Sequence, residues 1–268
     1  MDEVYLAAVA EAFSRKAGVY DAFGENHPLL QRMREKVRRH VLRHLQPEAR
    51  ILEMNAGSGS DAVFFAAQGY TVHATDLAPG MVSKIEEKAI HYGLIDRLSC
   101  QRLDFHRLDL ARGAPFDYIF SNLGGVNCAV DLPSVARATE RVLTPGGRLT
   151  WVVMPPICLW ELAQALRLNF RFALRRLKPN GVQAHVEGVY FTTRYYSPNA
   201  VRAAFGAQFQ VLELEGLSVF TPPADHKDFA HRRPRLYAAL AALDDRLARR
   251  APFNRWGDFY IITLQRGK

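Results

Sequence analysis

Between residues 50 and 153, short apolar runs alternate with stretches whose apolar residues recur at helical spacing. The runs predict strands near 50–54, 71–75, 98–102, 117–121 and 147–153, and the spacing predicts helices at 60–68, 79–92 and 133–142. Regular alternation of this kind predicts an α/β fold, a parallel sheet with helices on both faces. Upstream, residues 1–47 read as helices, with Leu29, Met33, Val37, Val41 and Leu45 four apart until Gln46-Pro47 breaks the pattern. After Pro155-Pro156 the rhythm is lost. A helix is expected from Leu159 to Leu177, then a polar-aromatic stretch from Val189 to Tyr196, and a helix capped by Ser197 and running to Phe205. A sixth strand at 209–219, a helical insertion at 234–250 and a last strand at 259–264 complete the pattern.

The first two strand-to-helix junctions carry the chemistry. The run Ile51-Leu52 ends on Glu53 and passes through Asn55-Ala56-Gly57-Ser58-Gly59, and the next strand ends on Asp76. Gly57 and Gly59 let the backbone turn where a Cβ would meet a ligand, and Asp76 can accept from two vicinal ribose hydroxyls. Gly57 to Ala62 also satisfies the GxGxxA form of a dinucleotide fingerprint. Glu53 argues the other way. An acid beside the turn would repel a pyrophosphate, whereas it would attract the ammonium and sulfonium of S-adenosylmethionine.

These residues, with Leu77-Ala78-Pro79-Gly80-Met81, Leu103-Asp104-Phe105, Phe116 to Asn122 and Leu143 to Leu149, resemble class I S-adenosylmethionine-dependent methyltransferases over about residues 48 to 153. Asn55 stands where that family has its first glycine, a place a left-handed conformation would let it fill. The resemblance implies a Rossmann-like, seven-stranded, mostly parallel sheet with helices on both faces, an antiparallel last strand and helical cap insertions. It implies one domain: an N-terminal helical lid at 1–47, a cofactor-binding core at 48–153, and substrate caps at 155–200 and 221–257. By the same resemblance Glu53 lies near the methionine ammonium, with Asn55 and Gly57 close by and Gly59 completing the turn. Asp76 holds the ribose, Leu77 and Met81 flank the adenine, and Asp104 and the Phe105 amide read its edge. Tyr20 covers the methionine end. Ser121 and Asn122 lie in the loop between the methyl group and the acceptor, where Asn122 either orients the acceptor or bonds its own loop backbone.

Composition narrows the partners. The 268 residues are 49% apolar and 23% charged, and no apolar run reaches the length of a membrane span. The acidic start Met1-Asp2-Glu3 lacks a signal-peptide pattern, so a cytoplasmic protein is expected. Cys100, Cys128 and Cys158 are scattered and suggest neither disulfides nor a metal site. The net charge of +8 concentrates at 32–43, 167–176 and 232–250, interleaved with apolar residues at helical spacing. That distribution reads as solvated helix faces, and no nucleic-acid-binding module is present. A small organic acceptor, lipophilic or aromatic, is the expected substrate, and the Arg167–Arg176 segment leaves an acidic acceptor or a membrane surface open as a contact. For a general base, the candidates are His27 first, then His185, His226 and His231, with Trp160, Tyr195 and Tyr196 as pocket walls. The competing readings are another reaction of the same cofactor, such as cyclisation, a nicotinamide dehydrogenase, and a noncatalytic binding protein.

Overall fold

The structure, a computed structural model, describes residues 3–25 and 27–268. Its strands are β1 (Arg50–Met54), β2 (Thr71–Asp76), β3 (Leu98–Arg102), β4 (Phe116–Ser121), β5 (Leu143–Val153), β6 (Val182–Val186), β7 (Val189–Thr193), β8 (Phe209–Leu217) and β9 (Phe259–Arg266). Its helices are α1 (Glu3–Glu25), α2 (Pro28–His44), α3 (Ser60–Ala67), α4 (Pro79–His91), α5 (Leu132–Val142), α6 (Leu159–Leu162), α7 (Phe170–Ala173), α8 (Pro198–Phe205), α9 (Phe229–Arg232) and α10 (Pro234–Leu247). The main sheet runs β3-β2-β1-β4-β5-β9-β8. The pairs from β3 through to β5 are parallel, and β9 inserts antiparallel between β5 and β8. This is the expected seven-stranded Rossmann-like sheet with an antiparallel last strand.

The strands of the first half are apolar along their length because both faces are covered. Alternate residues of β1 serve opposite layers: Leu52 and Met54 pack with α5 and α8, while Ile51 packs with α2, α3 and α4. Period two therefore puts Glu53 on the Ile51 side, in an apolar layer. The order in which strands are added reverses beside β1, since β2 and β3 lie to one side and β4 and β5 to the other. At such a switch point the loops leaving the strand ends part and open a crevice. The glycine turn after β1, Asp76 after β2 and Asn122 after β4 all lie at this crevice.

One expectation fails in the segment after β5. The helix expected from Leu159 to Leu177 is broken into α6, α7 and 3-10 turns. Leu168 adopts φ +59, which no α-helix accommodates, and the Asn169 side chain then caps α7 by accepting from the Phe172 amide. The polar-aromatic stretch pairs as the hairpin β6–β7, closed by Glu187-Gly188 with φ of +47 and +80. Two successive positive φ values make a two-residue turn whose twist suits a hairpin. No described helix is long and apolar enough to cross a membrane.

Candidate active site

The crevice holds a cavity of about 120 Å³. Of the residues singled out in the sequence, Tyr20, Asn55, Gly57, Asp76, Leu77, Asp104, Phe105 and Asn122 line it. Helix α1 closes it from above with Tyr5, Leu6, Val9 and Phe13, side chains that no motif marked. An interlock fixes that helix to the glycine turn. The Ser58 hydroxyl donates to Asp21 at 2.6 Å, and the Lys88 ammonium reaches both Asp21 and the Ser58 carbonyl, at 2.8 and 2.9 Å. At the other end of α1 the Tyr5 hydroxyl sits 2.8 Å from the carbonyl oxygens of Cys128 and Thr192, tying the helix to β7.

Asp76 accepts from the amides of Gly57 and Ala78, both at 2.9 Å, so its carboxylate is fixed at the rim. Burial nevertheless pushes its pKa up to about 6, outweighing those two hydrogen bonds. Asp104 behaves oppositely. Burial raises its pKa, but hydrogen bonds from the His106 ring and amide prevail and hold it below the usual carboxylate range. Those bonds converge on Oδ1, so Oδ2 remains the oxygen open to a ligand.

Glu53 is 2% exposed and lies behind the cavity wall, not on it. Its Oε2 is buried without a hydrogen-bond partner among the described residues, and burial, reinforced by the nearby Asp61 carboxylate, pushes its pKa well above the carboxylate range. A second buried atom without a partner is Asn55 Nδ2, on the wall itself. A carboxyl and an amide, each with an unpaired atom and two residues apart in the chain, are groups that could serve the ammonium and carboxylate of an amino-acid zwitterion. Asn55 has φ +49, and its Oδ1 accepts from the Ser121 hydroxyl at 3.0 Å. Its amide fits only because residue 125 is glycine, where a Cβ would collide with the Asn55 side chain.

Several expected contacts are corrected. Gly59 takes φ +76 as the residue before α3, and a Cβ there would come within 2.8 Å of Ile85, so it serves helix packing and not the cavity wall. Met81 is buried against Ala17 and Ala78 beneath α1 and does not line the cavity. Ser121 is spent on Asn55. Asn122 donates to Asp61 at 2.7 Å and accepts from the Leu123 amide at 2.8 Å, so its amide holds its own loop in place of an acceptor. His27 is no base. Its Nδ1 accepts from the Leu30 amide as the cap of α2, and its Nε2 lies 2.7 Å from the Ala224 carbonyl oxygen.

A second cavity, of about 280 Å³, shares Tyr20 and Leu123 with the first and opens under the cap. Leu30, Met33, Met154, Trp160, Phe172 and Phe259 give it apolar walls, and Lys16, Arg34, Arg175, Arg176, Glu161, Asp225, His226 and Asp258 carry the charge. Two of those cations are neutralised within the protein: Arg175 and Arg176 both bind Glu161, and Arg176 also binds Asp258 at 2.8 Å. Arg34 differs, because its buried Nε has no hydrogen-bond partner among the described residues. Of the candidate bases only His226 lines this cavity, with its ring against Trp160. His185 stacks on Tyr190 in the hairpin, and His231 is exposed on α9. Tyr195 packs beneath the Arg176 guanidinium and Tyr196 reaches the Ala129 carbonyl, so neither forms a cavity wall.

Away from these cavities, His40, His44 and Glu213 bring ligand atoms within 4.8 Å of one another. Arg43 and Arg249 already pair with Glu213 and Glu215, and the group is an ion-pair cluster between α2 and β8.

The order of motifs around the first cavity has a counterpart among known proteins. Residues 51–147 match the family model described as a methyltransferase domain. Those residues thus form a methyltransferase domain, similar to that of the class I S-adenosylmethionine-dependent methyltransferases. The cofactor of this family is S-adenosylmethionine, and the unpaired atoms of Glu53 and Asn55 agree with it. A malonyl-[acyl-carrier protein] O-methyltransferase of Halorhodospira halophila is 29% identical over 68% of this chain, and one of Serratia marcescens is 33% identical over 61%. The chain spans 66% and 59% of the lengths of those two relatives. The solved CcbJ methyltransferase of Streptomyces caelestis shares the fold, with a TM-score of 0.62 at 15% identity over 94% of this chain and 96% of that one.

Proposed function

We propose that the protein transfers a methyl group from S-adenosylmethionine to a small lipophilic acceptor bearing an anionic group, held in the cavity under the cap. The observation that carries the acceptor class is Arg34, a guanidinium with a buried unpaired Nε set among apolar walls. A buried donor without a partner is costly, and an acceptor carboxylate or phosphate would satisfy it. The two relatives named as malonyl-[acyl-carrier protein] O-methyltransferases support an acid acceptor.

Bound S-adenosylmethionine supplies an electrophilic methyl on a sulfonium. In this reading the domain divides as its sequence suggested, with 1–47 as lid, 48–153 as cofactor core and 155–200 and 221–257 as acceptor caps. Asn55 faces the amino-acid end with the Glu53 carboxyl behind it, Asp76 takes the ribose, and Asp104 with the Phe105 amide the adenine edge. Tyr20 and Leu123, common to both cavities, mark where the methyl passes. The chain's task there is alignment and exclusion of water. A carboxylate acceptor has no proton to lose, so O-methylation proceeds without a base, and the engagement of His27 and Asn122 in structural bonds is no obstacle.

Incubation with methyl-labelled S-adenosylmethionine and a fractionated extract tests this. Label is expected in an acidic lipophilic fraction, and Arg34→Met should raise KM for that acceptor with little change in cofactor affinity. Label confined to neutral or basic products would exclude the acid acceptor.

A further inference from the structure

We infer that the cap carries a docking surface for an anionic lipid bilayer, formed by the exposed apolar tips of residues 166–177 and the cations between them. Leu166 and Leu168 are 88% and 80% exposed, and Phe170, Leu174 and Leu177 are each about half exposed. Arg167, Arg171 and Lys178 are exposed among them, and residues 162 to 186 contain no Asp or Glu. A monomer leaves single apolar residues on its surface without consequence, but this many large ones in twelve residues form a patch that calls for a partner.

The arrangement specifies the partner's chemistry. The apolar side chains sit on short helical turns broken at Leu168, so the segment projects as separate knuckles and not as one continuous helical face. Leucine and phenylalanine tips ringed by arginine suit a bilayer boundary, where the tips enter the acyl region and the cations stay at phosphate level. An acidic carrier protein would be met mainly through charge, with apolar area confined to a small centre.

A second basic arm continues the surface. Lys227, Arg232, Arg233 and Arg235 are exposed in and beside α9. This arm packs on Trp160 of α6, whose ring lies 5.4 and 5.5 Å from those of His226 and Phe229. Both arms also rim the acceptor cavity, through Phe172 and Arg175 on one side and His226 on the other. A molecule dissolved in the bilayer would thus reach the cavity without crossing water. The inference stands on the surface alone and does not rest on which acceptor is methylated.

Flotation of the full chain with vesicles tests it, with no cofactor or acceptor present. Wild-type protein should float with vesicles of phosphatidylcholine plus phosphatidylglycerol and only weakly with phosphatidylcholine alone. The double variant R167E/R171E should bind the anionic vesicles roughly ten-fold more weakly or less. The double variant L166Q/L168N should also lose binding, while melting as the wild type does. Its Asn is chosen because that residue accepts the positive φ at 168. Absence of wild-type flotation would overturn the proposal. So would flotation that the leucine pair does not alter, or capture by an acidic acyl-carrier protein with none by vesicles.

Discussion

The two cavities are built in different ways, although they share Tyr20 and Leu123. Strand ends whose register the ladder fixes supply much of the cofactor side: Glu53 pairs with Ala74 and Phe120, and Asp76 with Arg102. Around the second cavity, α2, the turns at 160–176 and the segment before α9 supply most of the walls beside Met154 and Phe259 at the strand ends, and long-range ion pairs hold those turns. Arg176 reaches Asp258, 82 residues away, and Glu161 receives both Arg175 and Arg176. A sheet-built site tolerates little local change, whereas an ion-pair-built site can be redrawn by substitutions in its insertions. A fold of this kind can keep its cofactor and change its acceptor.

The largest effect that separates the two regions should come from Arg176→Met. Removing one member of a buried charge network leaves Glu161 and Asp258 without their partner, at a cost of about 3 to 5 kcal/mol of stability. Urea denaturation should show that loss while calorimetry finds cofactor affinity within about two-fold of wild type. A collapse of cofactor binding would mean that the regions are not independent. Asp76→Ala should do the reverse, weakening S-adenosylmethionine by about 2 kcal/mol with a much smaller change in melting temperature.

A smaller effect is expected inside the glycine turn. Gly125→Ala places a Cβ on the Asn55 side chain, and overpacking of this sort costs about 1 to 3 kcal/mol. Adding Asn55→Gly should recover most of it, and a double-mutant cycle reads the coupling. Additive losses would show that Asn55 is not accommodated by Gly125.

The mildest test is pH. Asp76 has a pKa near 6 in the cofactor-free protein, and the ribose hydroxyls bond best to its ionised form. A ligand that prefers the carboxylate binds fully above that pKa and loses affinity below it, by at most about ten-fold per pH unit. Titrations from pH 8 to about pH 5 should be flat at first and then fall. Affinity that rises on acidification would remove Asp76 from the site.

The same contrast explains what could be read in advance. The strands of the core were legible because a buried parallel strand is a continuous apolar run, and the turn because Gly57 and Gly59 stand between Glu53 and Asp76. Asp104 was legible as a strand-end acid, but its partner His106 is fixed only by the turn that follows β3. In the cap, apolar spacing from Leu159 to Leu177 imitates one helix, and no local signal announces the left-handed Leu168. Arg34 looks in sequence like any other arginine on α2. Only the packing shows that Arg38 finds Asp61 and Arg32 finds Asp245, while the Arg34 Nε is left without a partner. The engagement of His27 and Asn122 in structural hydrogen bonds was hidden for the same reason, since hydrogen-bond partners are a tertiary property.

The central claim is that the unpaired Glu53 carboxyl behind the first cavity marks the cofactor's cationic end. Calorimetry of S-adenosylmethionine against wild type and Glu53→Gln, with NAD as a control, tests it most directly. Glutamine keeps the shape and removes the group that a bound ammonium would ionise, so affinity should fall by about 2 kcal/mol, with NAD silent in both proteins. Unchanged affinity in Glu53→Gln, or binding of NAD in place of S-adenosylmethionine, would contradict it.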